Sequence, residues 1–92
     1  MTMATHPGEI LGDEIAARGM SAHRLALELC VPPTRIADIL KCRRSVSPET
    51  ALRLAAYLGG SPKVWLRLQA DYDLARAERK HRAEIKRTVR AA

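Results

Sequence analysis

The feature that most constrains this chain is how regularly its helix starts and stops are spelled out. His6-Pro7-Gly8-Glu9 places a proline in the first turn of a helix with Leu11 and Ile15 four apart, and Gly19 ends it. Ser21 caps a second helix, with Arg24 where a capping box would carry Glu; Leu25, Ala26 and Leu29 form its narrow apolar stripe. Cys30-Val31-Pro32 breaks the pattern, and Pro33 opens a third helix with Ile36, Ile39 and Leu40 facing inward. Cys42 to Val46 reads as a basic loop. Ser47-Pro48-Glu49-Thr50 supplies an N-cap, a proline and an early acidic residue for a fourth helix. Ala51, Leu52, Ala55 and Leu58 are expected to line it, and Gly59-Gly60 to end it. Ser61-Pro62 starts a fifth helix, on which Trp65, Leu68 and Tyr72 are expected to be core. No segment alternates as a half-buried strand does, so the fold expected is all-α with five helices.

Composition excludes several classes. A chain of 92 residues builds one small core, and 47% apolar with 28% charged residues fits neither a disordered chain nor a disulfide scaffold. No apolar run approaches the roughly 20 residues of a membrane span, and residues 1–11 show no signal-peptide pattern. Cys30 and Cys42 fit a reducing cytoplasm and read as small residues in turns, although sequence alone leaves a disulfide open. Neither belongs to a CxxC or has a histidine at ligand spacing, and His6, His23 and His81 are scattered. With no nucleophile–base pattern and no glycine-rich phosphate loop, no enzyme, metal or cofactor is expected.

Charge is the positive clue. The net +6 is uneven: residues 1–40 carry three basic against five acidic residues, residues 41–73 six against three, and residues 74–92 seven against two. A basic excess gathered in part of a chain suits a polyanionic partner, most simply nucleic acid, or else a solvated surface.

The second and third helices, joined by three residues, have the spacing of a DNA-binding helix-turn-helix. With Ile36, Ile39 and Leu40 inward, the 100° step turns Thr34, Arg35, Ala37, Asp38 and Lys41 outward. Arg35 can donate bidentately to guanine, Thr34 can bond a base edge, and Ala37 can touch a thymine methyl. Asp38 can accept from cytosine or orient Arg35. Ser21, His23 and Arg24 at the start of the second helix suit a phosphate, as do Lys41, Arg43 and Arg44 after the third.

Three segments also carry a resemblance: His6 to Leu11; Leu25-Ala26 through Val31 to Arg35-Ile36 and Ile39-Leu40; and Thr50 to Ala55 followed by Ser61-Pro62 and Trp65 to Leu74. Residues 5–74 resemble the lambda-repressor-like helix-turn-helix domain, specifically the HigA-type antitoxins of bacterial toxin–antitoxin modules. The resemblance implies a cytoplasmic homodimer that binds palindromic operator DNA to repress its own operon. It also implies binding and neutralisation of a HigB-type mRNA-cleaving toxin. The division expected is 1–74 as DNA-binding domain and 75–92 as basic helical extension, in which Ala77, His81, Ile85 and Val89 keep helical spacing. Two other readings stay open: a stand-alone transcriptional repressor with no toxin, and an interaction module that inhibits a nuclease without specific DNA binding.

Departures from the family pattern carry physical consequences. Cys30 and Cys42 stand where the pattern usually has Gly, implying side chains held near positive φ, and Pro32 replaces the usual Ser or Thr cap. On the fifth helix, Leu66, Ala70 and Leu74 form a second apolar stripe, expected to serve a dimer or partner interface. Because family toxins are usually basic, toxin contact is expected on the acidic side, at Glu9, Asp13 and Glu14.

Overall fold

A computed structural model describes residues 4–92; the first three residues of the expected 1–74 unit lie outside it. Five helices follow in order: α1 Pro7–Ala17, α2 Ala22–Leu29, α3 Pro33–Leu40, α4 Pro48–Leu58 and α5 Pro62–Thr88. No strand occurs among the described residues.

The caps act locally, as their chemistry requires. Ser21 Oγ accepts from the Arg24 N–H at 3.1 Å, Ser47 Oγ from Thr50 at 3.2 Å, and Ser61 Oγ from Lys63 at 3.1 Å. Pro32 gives α3 no side-chain cap, but its extended backbone (φ −59°, ψ 139°) still delivers the chain into Pro33 at the first helical position. The first three helices end in the same way. Gly19, Cys30 and Cys42 adopt left-handed φ values of 66°, 57° and 61°. The next residue then reaches back five positions: Met20 N–H to Ile15 at 2.9 Å, Val31 to Ala26 at 3.1 Å and Arg43 to Asp38 at 2.8 Å. Two of these three left-handed turns therefore carry a cysteine side chain where glycine is free of strain.

Leu11, Ile15, Leu25, Ala26, Leu29, Val31, Ile36, Ile39, Val46, Ala51, Leu54 and Trp65 form one buried cluster. Helix α3 packs between α2 and α1, while α5 lies along α4 and touches α1. The contact of α1 with α3 is unusually close. A Cβ on Gly8 would sit 1.9 Å from the Ile39 carbonyl oxygen, so only glycine lets the α1 backbone approach the end of α3.

Two apolar assignments need correction. Leu52 is 61% exposed, and the inward positions of α4 are Thr50, Ala51 and Leu54, because Leu52 lies about 100° around the helix from Ala51. On α5, Trp65 and Gln69 are buried, Leu68 packs partly buried against the core as expected, and Tyr72 is half-buried with its ring against His6. Leu66 packs against the core instead of standing on a free face. Gln69 is tolerated in this interior because it is satisfied: its Oε1 accepts from the Val46 N–H at 2.9 Å and its Nε2 donates to Asp73 at 2.9 Å. Past residue 75 every side chain of α5 is exposed, and no helix is long and apolar enough to cross a membrane.

Candidate nucleic-acid interface

Cys30, at φ 57° and ψ 46°, reverses the chain between α2 and α3, and the buried Ile36 and Ile39 fix which side of α3 faces outward. Thr34 and Lys41 are exposed; Arg35, Ala37 and Asp38 are partly exposed on the same side. Arg43 and Arg44 stand exposed on the loop that follows, and Ser21, His23 and Arg24 are exposed at the start of α2. The sets expected to face bases and phosphates thus come from consecutive elements of one motif. The placement offers hydrogen-bond donors on a helix flanked by cations.

The ion pairs differ from expectation at Arg35. Asp38 does not orient it: Asp38 lies 4.0 Å from Arg44, and the carboxylate bound to Arg35 is Glu49, at 3.3 Å from Nη1. Glu49 is the second residue of α4, and its other oxygen takes Arg53 Nη2 at 3.3 Å. Arg53 Nη1 donates in turn to the Leu29 carbonyl at 2.9 Å, closing one of the free carbonyls at the end of α2. Its Nε is buried without a partner among the described residues. Sequence reasoning took Glu49 only as a helix-start residue and left Arg53 unassigned. The one signal available was their i,i+4 spacing on α4.

His6 was taken only as the residue before the α1 proline and as one of three scattered histidines. It is 3% exposed, its Nδ1 accepts the Gly8 N–H at 2.8 Å as the α1 cap, and its ring meets Tyr72 edge-on at 4.8 Å. Burial pushes its pKa below the ordinary value, against the opposing pull of Asp73 and Glu9 and with the help of Arg76. The cysteines are free thiols, Cys30 exposed and Cys42 half-buried, and burial raises the pKa of Cys42.

The remaining expected residues lie on α1 and α5, with Glu9 near enough to Cys42 to act on its charge. Of Glu9, Asp13 and Glu14 on α1, Glu14 pairs with Arg18 at 3.0 Å, and Arg18 also donates to the Leu58 carbonyl. On α5, Ala70 is exposed and Leu74 is 60% exposed. Leu74 continues into a shallow groove with Ala77, His81 and Ile85.

A family model described as helix-turn-helix matches residues 13–65. Virulence-associated protein I of Dichelobacter nodosus is 49% identical over 76 residues, which span 82% of this chain and 70% of that protein. An addiction module antidote protein of the HigA family from Coxiella burnetii is 40% identical and superposes with a TM-score of 0.94 over 99% of this chain and 100% of its own. The Pseudomonas aeruginosa antitoxin HigA, solved with the higBA promoter, is 34% identical with a TM-score of 0.92 over 95% and 96%. On the motif's geometry and these likenesses, the chain belongs to the helix-turn-helix family, in its HigA-type branch.

Proposed function

We propose that this protein is the antitoxin of a HigA-type module: a homodimer that represses its own operon through α3 and the loop after it, residues 33–44, and that binds and neutralises a HigB-type toxin. The observation that carries the DNA reading is the outward face of α3 with its cationic flank, in a fold shared with a HigA antitoxin solved on promoter DNA. On this reading Thr34, Arg35, Ala37 and Asp38 meet base edges, and Ser21, His23, Arg24, Lys41, Arg43 and Arg44 meet phosphates. Residues 1–74 form the DNA-binding unit and 75–92 a basic extension. Dimerisation through the exposed Ala70–Leu74 side of α5 sets two recognition helices about one helical turn of DNA apart, roughly 34–36 Å. Toxin contact falls to Glu9, Asp13 and Glu14, in the N-terminal residues 1–40 where acidic residues outnumber basic ones.

The test separates reading from positioning. Arg35→Ala is expected to cost about 1–3 kcal/mol on the chain's own promoter and to relax base preference at one position. Arg43→Ala is expected to weaken all duplexes alike and flatten the salt dependence by about one phosphate contact. Equal effects from both refute α3 as the reading helix. For the toxin, charge reversal at Asp13 and Glu14 is expected to weaken binding; unchanged affinity removes α1 from that interface.

A further inference from the structure

Glu49 is an acidic residue held between two arginines at the edge of a face that must accept a polyanion. Taken singly it should oppose DNA binding, since a carboxylate near phosphates repels them. Its contacts give it another use. Arg53 is fixed by the Leu29 carbonyl at 2.9 Å, Glu49 by Arg53 at 3.3 Å, and Arg35 by Glu49 at 3.3 Å. The chain of contacts thus runs from the end of α2 through α4 to the proposed base-reading side chain of α3. Arg35 engages Glu49 through Nη1 alone, which leaves Nε and Nη2 without partners among the described residues. That pair of donors suffices for a bidentate contact with guanine.

Resting on the operator reading above, we propose that Glu49 is a positioning residue for sequence recognition. It holds Arg35 in one orientation toward the bases and keeps it from turning to the nearest phosphate. Its negative charge also lowers affinity for DNA of any sequence. Only the first effect raises discrimination, through preorganisation; the repulsion is common to every sequence and cancels in the ratio of affinities.

The test measures binding of wild type, Glu49→Gln, Arg35→Ala and the double variant to the chain's own upstream promoter duplex and to a scrambled duplex, with thermal melts alongside. Glu49 is 61% exposed, so Glu49→Gln is expected to melt within about 5 °C of wild type. It is expected to bind the scrambled duplex about two- to threefold more tightly, through the lost repulsion. Its preference for the promoter is expected to fall about three- to tenfold, the range set by freeing one long side chain. In the Arg35→Ala background the same substitution is expected to change preference by less than about twofold, a coupling that a merely structural role does not produce. A preference unchanged by Glu49→Gln, or lowered equally with and without Arg35, overturns the inference while leaving the operator reading intact. A wild-type protein without promoter preference overturns both.

Discussion

Gly8 and Gly12 stand four residues apart on α1, yet alanine at the two positions is expected to act in opposite directions. At Gly8 a new Cβ would lie 1.9 Å from the Ile39 carbonyl oxygen and 3.0 Å from His6 Nδ1. Since real Cβ atoms stay beyond 3.0 Å of such neighbours, α1 and the end of α3 must separate by about 1 Å. Overpacking against backbone of this kind costs about 1–3 kcal/mol. At Gly12 the nearest atom is Leu40 Cδ2 at 3.8 Å, an ordinary contact, so the helix gains the alanine preference of about 0.5–1 kcal/mol. For a domain of this size each kcal/mol moves the melting temperature by about 4–8 °C. Gly8→Ala should therefore melt roughly 5–20 °C lower and Gly12→Ala about 2–8 °C higher, read by circular dichroism and checked in urea. Because the strain falls on the end of α3, Gly8→Ala is also expected to lose promoter affinity while still folded at 25 °C. A Gly8→Ala protein that melts at or above wild type refutes the close backbone approach on which the placement of α3 depends.

Two further outcomes follow from local chemistry. His6 can take a second ring proton only at Nδ1, where it now accepts from Gly8, and its pKa in the fold lies below the ordinary 6.5. The unfolded chain therefore binds the extra proton first: this contribution to stability is complete above about pH 6.5 and is lost as pH falls through the folded value. His6→Asn, which keeps a capping acceptor without a titrating ring, is expected to flatten that slope in urea denaturation across the acid range. Cys30→Gly places a glycine at φ 57° and is expected to raise stability by about 0.5–1 kcal/mol in chemical denaturation, since the left-handed strain exceeds the entropy glycine adds to the unfolded chain.

Much of this molecule is legible in its sequence because helix ends are local events. Ser21, Ser47, Ser61 and the paired prolines act within three residues of themselves, and each stands where its chemistry placed it. The strained turns at Cys30 and Cys42 followed from comparison with a pattern that uses glycine there. What escaped depends on distant neighbours. Leu52 and Leu66 are apolar at plausible spacings, but only the approach of α2 and α5 decides which side of α4 is covered, and only α4 and α1 decide how far around α5 the core reaches. Arg35 and Glu49 are fourteen residues apart and Arg53 reaches Leu29 across twenty-four, so neither pairing has a local signature. His6 is a local case that was also missed: its cap on Gly8 is only two residues away, but histidine is not among the usual capping residues, and its seat against Tyr72 depends on a distant neighbour.

The most direct test of the central claim is fluorescence anisotropy of the purified protein on its own upstream promoter duplex and on a scrambled duplex, from about 50 to 200 mM salt. An operator-binding repressor is expected to prefer the promoter by about a thousandfold or more and to keep that preference at the upper salt. Equal binding to both duplexes, falling steeply with salt, would contradict it and reduce the net +6 to a general attraction for polyanions.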